Sequence, residues 1–459
     1  MDKITIYHTN DLHAQLTYWP RIAAYLTGQK QQHQSSGETV FIFDCGDATD
    51  RIHPLVEATN GKAVASLLQQ GSYDAVTIGN NEGIGNTKEQ LNDLFTTADY
   101  SVVVSNIVDK DTGQRPSWAE QIKILKTQDK RSLALIGCTI PLPMSYDSLG
   151  WDIEDPLETI GHLIEAYHEK VDGFILLSHL GLDTDRKIAA LYPEILVIMG
   201  GHTHHLLPEG ETVANTLIAG AGKFGSHIGK ITFSLDGNQS FNARAQVIDV
   251  KNELQPVHDE AEKEEQRIQA GLKLLSQKTY GRLASPLMNE WTKEPNLISI
   301  TLEAMRIRKS DSLAAINSGL FLQSLPEGVL NHKELHKSLP HPMRLVEITL
   351  SGSDLLLMLE QMDKQKDRLR HLKARGYGFR GKVFGQIFFS GIEKQAAGWT
   401  ANQKIVQKEQ VYHLITVDYF LFVPYFPVLQ KQSKVRLISS DFLRDIVGGY
   451  VSKYYARST

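Results

Sequence analysis

Five apolar runs in the first half of the chain each end within a few residues of a side chain that binds divalent metal. Residues 4–7 lead to Asp11 and His13, and residues 40–43 to Asp47. Residues 75–78 lead to Asn80, 174–177 to His179, and 195–199 to His202 and His204. Carboxylate, carboxamide and imidazole donors together suit two ions of the Mn, Zn, Co or Fe type better than Mg or Ca, which favour all-oxygen sites. Two neighbouring ions need a shared ligand, and an aspartate can serve because each carboxylate oxygen takes one ion. Glycines beside these positions let backbone approach without a Cβ clash. One strand-end Asp or His is more often a cap than a ligand. Their return at five strand ends, in one register, argues for a metal centre.

The elements that must position these side chains read as an α/β layer architecture, with strands alternating with helices. Loops at the carboxyl ends of such strands converge on one crevice. Asn86 with Glu89, and Asp155 with Glu158, are spaced as capping pairs before Leu91 and Ile160. From Thr216 strands follow without helices, closing a first domain over residues 1–253. A charged stretch, residues 254–278, is expected to be an interdomain helix. Residues 279–459 form a second, α+β domain: a helix at Leu297–Arg306, strands at 313–316 and 345–350, and a helix at 355–362. A chain of 459 residues exceeds one ordinary core, which agrees with two domains. Gly220, Gly222 and Gly225 match a dinucleotide-binding glycine pattern, but a strand follows where that motif needs a helix, so this is a turn.

The net charge of -5 gives no reason to expect nucleic acid or an anionic membrane as partner. No apolar run reaches the roughly 18 residues of a membrane span. The chain enters a strand directly, with no signal-like segment before it, and its two cysteines, Cys45 and Cys138, end apolar runs as buried thiols do. A cytoplasmic location is expected, and the oligomeric state stays open.

The Asp-x-His, Gly-Asp, Gly-Asn-x-Glu, Ser-His-x-Gly and Gly-His-x-His blocks, in this order, resemble the calcineurin-like metallophosphoesterases. The long second domain makes the chain similar to their 5′-nucleotidase branch. The resemblance implies a four-layer α-β-β-α sandwich followed by a 5′-nucleotidase-type substrate-binding domain. It implies one ion on Asp11, His13, Asp47 and His204, a second on Asp47, Asn80, His179 and His202, and Asp47 as the bridge. It implies hydrolysis of a nucleotide or related phosphate ester or anhydride, with a metal-bound hydroxide attacking phosphorus.

The sequence departs from that family in two places. Asn81 stands where the family has the histidine that helps the leaving oxygen, and Ile84 where that histidine's aspartate belongs. An amide can donate a hydrogen bond to a phosphoryl oxygen but cannot act as a general acid. In the second domain Asn317 and Gly319 fit the phosphate-side loop, while Leu322 replaces its arginine. Phe384 and Tyr419 fit a base-stacking pair, with core packing an equal reading. Arg375 and Arg380, in a basic stretch over 363–382, are candidates for the missing phosphate grip, against a plain solvated helix. Two rivals follow: a metal-holding nucleotide sensor with little turnover, and a phosphodiesterase or pyrophosphohydrolase acting on good leaving groups.

Overall fold

The computed structural model describes residues 3–235, 242–290, 296–307, 309, 311–374, 376, 378–432 and 434–457. The chain divides into two compact units, Met1–Gly271 and Leu272–Thr459.

In the first unit two six-stranded sheets stack face to face. One runs Asn242–Asp249, His227–Ser234, Lys3–Thr9, Thr39–Asp44, Ala75–Val76, Ser101–Val102. The other runs Leu206–Val213, Thr216–Ala221, Ile195–Gly200, Gly173–His179, Ser132–Thr139, Lys123–Lys126. Period-two alternation assigns each strand's faces. Ile4, Ile6, Phe41 and Phe43 meet Leu135, Ile175, Val197 and Met199 between the sheets. Tyr7 and Ile42 face outward onto Trp19, Ile22 and Leu26 of helix Trp19–Ser35. On the other outer face Ile136 and Leu176 pack with Ile160 and Leu163 of helix Pro156–Tyr167 and Ile188 of Leu182–Leu191. The result is the four-layer α-β-β-α sandwich.

Register brings the loops together. Thr9 pairs with Asp44 and Phe43 with Ala75 in parallel, so the segments carrying Asp11, Asp47 and Asn80 leave one edge. Gly200 pairs with Ser178 in the second sheet, which starts the His179 and His202 loops side by side.

Three local expectations shift. The helix expected to be capped at Asn86 is capped by Thr87, whose hydroxyl accepts from Gln90 N, because Asn86 is taken by Arg51 and by Glu82 O. The charged helix is Glu260–Leu275, and its first part docks on the first unit: Arg21 Nε donates to Glu260 at 2.7 Å and Arg267 to Leu16 O at 3.3 Å. The helix expected at 355–362 runs over Gly352–His371, since Leu359, Met362 and Leu369 extend its buried stripe. Arg368, Arg370 and His371 in its last turn complement the helix dipole. The second unit is built on a five-stranded sheet, Ile387–Ser390, Leu313–Asn317, Val411–Val417, Arg344–Ser351, Val435–Phe442, covered by this helix and by Leu297–Arg306 and Leu443–Tyr454. No helix among the described residues is long and apolar enough to cross a membrane.

His8, a neighbour of the metal-binding blocks in sequence, sits on the inter-sheet side of its strand, fully buried. Neither ring nitrogen finds a hydrogen-bond partner among the described residues. Gly229 opposite makes room for it, since a Cβ there would lie 1.9 Å from Nε2. Burial holds the imidazole down at about 4, against 6.5 when free. His8→Leu is therefore expected to stabilise the fold by roughly 1–3 kcal/mol at neutral pH, the cost of an unpaired buried polar group. A depressed folded pKa means stability is lost as pH falls from 6.5 toward 4. The leucine variant lacks this loss, so its advantage in urea melts should be larger at pH 5 than at pH 7.5; an equal or smaller advantage refutes the account.

Candidate metal centre

Asp11 and His13 follow strand Lys3–Thr9, and Asp47 follows Thr39–Asp44. The two loops are zipped by backbone bonds: Asp11 N to Gly46 O at 3.0 Å, His13 N to Asp47 O at 2.9 Å, Ala14 N to Ala48 O at 2.9 Å. Glu82, 3% exposed, ties this pair to the third loop. Its carboxylate accepts from Asp47 N at 2.9 Å, Thr49 N at 2.8 Å and Gly79 N at 2.9 Å. The loops touch so closely that a Cβ on Gly79 would lie 2.1 Å from Asp47 Oδ1. Glycine is required there.

The carboxylate and imidazole donors form two overlapping groups, Asp11 with His13 and His204, and Asp11 with Asp47 and His179. Asp11 Oδ1 is 3.7 Å from His13 Nε2 and 3.4 Å from His204 Nε2, and the two Nε2 atoms are 3.1 Å apart. An ion with tetrahedral bonds near 2.1 Å separates its donors by about 3.4 Å. In the second Asp47 Oδ1 is 3.4 Å from His179 Nε2, and separately Asn80 Oδ1 is 3.0 Å from His202 Nδ1. Asp47 Oδ2 faces the other way, 3.9 Å from His13 Nε2. One carboxylate thus presents an oxygen to each group.

His179 supplies the sharpest test of fit. It is fully buried, its Nδ1 lies 2.8 Å from Cys45 O, and its Nε2 finds no hydrogen-bond partner among the described residues. A ring that donates from Nδ1 to a carbonyl presents the Nε2 lone pair outward, as a ligand must. Burial disfavours its charge, but the adjacent Asp47 carboxylate outweighs this and lifts it to about 10. Asp47 is buried too, yet His179 and His13 pull its carboxyl below the usual range. Burial lowers His202 to about 4, leaving a neutral ring.

Backbone strain marks the same residues. Asp11, His13, Asp47, His202 and His204 all have left-handed φ, between 47° and 70°. This conformation costs a side-chain-bearing residue about 1–2 kcal/mol. Strain on that scale persists where function requires the side chain.

Four contributors escape sequence reasoning. Asn10 Nδ2 donates to Asp11 Oδ2 at 2.8 Å and to Gly222 O at 2.7 Å, latching the Asp11 loop to the glycine-rich turn. Only its adjacency to Asp11 hinted at this. Asp185, 1% exposed on helix Leu182–Leu191, accepts from Ser178 Oγ, and burial pushes its carboxyl up to about 7. Thr203 Oγ1 accepts from Leu182 N at 3.1 Å and so holds the segment between His202 and His204. Glu82 stood in a recognised block without a role.

Asn81 is placed differently from the expected phosphoryl donor. Its Nδ2 lies 2.8 Å from His13 Nδ1 and donates to Thr49 O at 2.9 Å, so the carboxamide packs on the His13 ring. Asp50 Oδ2 lies 3.6 Å from the same Nδ1. Ile84 packs against the apolar cluster beneath.

The second unit corrects the base-stacking pair. Phe384 is fully buried and Tyr419 1% exposed, their rings 6.2 Å apart, with Phe420 and Phe426 around Phe384. These rings form core, because aromatic bodies in a sheet-and-helix interior bury more area than a clamp would. Asn317 is also fully buried and donates to Phe384 O at 2.6 Å, so it braces this segment. Gly319 allows the close approach, since a Cβ there would meet Val383 O at 2.0 Å. Arg380 is half-buried, with its backbone N on His341 Nδ1 at 2.9 Å. Arg375 lies outside the described residues.

Residues 4–206 match the family model for calcineurin-like phosphoesterases, and residues 278–423 that for the 5′-nucleotidase C-terminal domain. The Bacillus subtilis uncharacterized metallophosphoesterase YunD is 33% identical over 97% of this chain and 98% of its own. The chain belongs to the calcineurin-like metallophosphoesterases with a 5′-nucleotidase C-terminal domain. A putative 5′-nucleotidase from Staphylococcus aureus has the same fold, with a TM-score of 0.68 at 14% identity, covering 99% of this chain and 97% of that one. The Haemophilus influenzae NAD nucleotidase does likewise, with a TM-score of 0.64 at 16% identity over 99% and 97%. As a member of this metallophosphoesterase family the chain is a metal-dependent phosphoester hydrolase, and its family implies divalent metal cofactors.

Proposed function

We propose that this metallophosphoesterase uses two divalent ions to hydrolyse a nucleotide or related small phosphate ester or anhydride whose leaving group departs readily. The observation that carries the reading is Asp47, with one oxygen toward His179 and the other toward His13. Asp11, His13 and His204 would hold one ion with Asp47, and Asn80, His179 and His202 the other. Such ions supply Lewis-acid stabilisation of phosphoryl charge and acidify a water nucleophile. The protein's own residues do the positioning. The zipped Asp11 and Asp47 loops fix the donors, and Cys45 O fixes the tautomer of His179. Asn81 carries a carboxamide, which is no general acid, and Ile84 is apolar, so neither hands a proton to a leaving oxygen.

Metal analysis of the purified chain after Mn²⁺ or Zn²⁺ reconstitution, with turnover of an aryl phosphate, tests this. Two ions per chain and steady turnover are expected. Fewer than two ions defeats the dinuclear reading, and two ions without turnover of any ester or anhydride favours the sensor.

A further inference from the structure

The glycine-rich turn at residues 220–225 carries a large apolar side chain exposed beside the metal-binding loops. Phe224 is 44% exposed, and its ring centroid lies 5.7 Å from that of His13 at 71°. The turn is bolted in place. Phe224 N donates to Asp11 O at 2.8 Å, Gly222 N to His205 O at 3.1 Å, and Ala221 N to Asn10 Oδ1 at 3.0 Å. The backbone is left-handed at Gly222, Phe224 and Gly225, with φ of 76°, 63° and 60°. Glycine meets that demand at two of these positions. At the third the chain spends a bulky residue, in a conformation that disfavours it, to hold an apolar ring in water. Neither feature helps folding. Lys223 places its ammonium 4.7 Å from the centroid of the same ring, beside a centre that binds anionic phosphate.

We infer that Phe224 is a specificity-determining contact for the organic part of the substrate, a planar aromatic or heteroaromatic leaving group directly attached to, or near, the phosphate. The ring offers a stacking or edge contact to such a group, and Lys223 can swing its ammonium to the phosphate oxygens. Aliphatic phosphates gain nothing from it. This inference deepens the phosphoesterase reading and rests on it for the location of the phosphate.

Binding of phenylphosphonate and methylphosphonate to the Mn²⁺-reconstituted protein, by calorimetry, separates the two claims because neither compound is hydrolysed. Aromatic stacking should give phenylphosphonate about a tenfold advantage in the wild type. In Phe224→Gly the advantage should vanish, while methylphosphonate affinity, ion content and the unfolding midpoint are unchanged or, for the midpoint, higher. Phe224→Asn, which also tolerates left-handed φ without supplying a ring, should behave the same. Three results overturn the inference: no phenyl preference in the wild type, a preference that survives in both variants, or loss of bound ions in both, which would make the ring a buttress of His13. Failure of the protein to bind either phosphonate or to hydrolyse any phosphate ester would instead defeat the underlying phosphoesterase site, and this inference with it.

Discussion

Replacing Asp47 by alanine is expected to empty both ion positions and to lower aryl phosphate turnover by about a thousandfold or more. The magnitude follows from the several kcal/mol of charge stabilisation that bound ions supply, at ~1.4 kcal/mol per tenfold in rate. The direction follows from geometry: Asp47 Oδ1 stands 3.4 Å from His179 Nε2 and Oδ2 3.9 Å from His13 Nε2, so a single truncation removes an anionic donor from each set. Asp47 makes its backbone bonds through N and O, which the truncation keeps, and this limits the cost to the fold. Circular dichroism should therefore remain native. Asn80→Ala, by contrast, touches only the His179 and His202 set and should weaken one ion. Elemental analysis and kinetics on both variants decide the matter. An Asp47→Ala protein that keeps two ions, or loses one only, has no bridge at that position.

The fold and the gathering of the candidate ligands were legible because the signal is periodic. Each apolar run had strand length, and each ended on a residue type unusual at a strand end unless it binds something. Parallel pairing then forces such ends together, so sequence order alone approximates the site. What was not legible depends on partners far apart in the chain. Asp185 looks like any polar residue in the first turn of an amphipathic helix, and is buried where the Ser178 hydroxyl and Gly200 close over it. Asn86 was spaced as a cap, but buried Arg51 claims its side chain and the cap moves to Thr87. Phe384 and Tyr419 could be clamp or core by residue type alone, and full burial settles it for core. The left-handed φ of Asp11, His13, Asp47, His202 and His204 has no sequence signature, since a residue that must bind metal replaces the glycine that would have announced it.

The rate of the wild-type protein is expected to depend steeply on leaving-group pKa. Asn81 occupies the place of the family's proton-sharing histidine, and its carboxamide, which donates to Thr49 O, cannot act as a general acid. Ile84, packed on the apolar cluster, offers no carboxylate. The departing oxygen must then leave largely as an anion, so aryl phosphates and anhydrides should react far faster than a nucleoside 5′-monophosphate. General-acid assistance is worth about 10²–10⁴ in rate, which sets the gap to expect between acidic phenols and alkyl alcohols beyond any binding difference. Asn81→His with Ile84→Asp should narrow that gap by raising kcat for poor leaving groups only. The aspartate is needed to orient the new imidazole. Because His13 loses its Asn81 contact in this variant, the comparison belongs at saturating Mn²⁺. The competing donor is His205, exposed and with Nδ1 2.9 Å from Thr203 Oγ1. If it already protonates the leaving oxygen, the wild-type series is shallow and the double variant gains little. Measuring kcat/KM across a series of substituted phenyl phosphates in both proteins separates the two, and a flat wild-type series would transfer the acid role from an absent pair to His205.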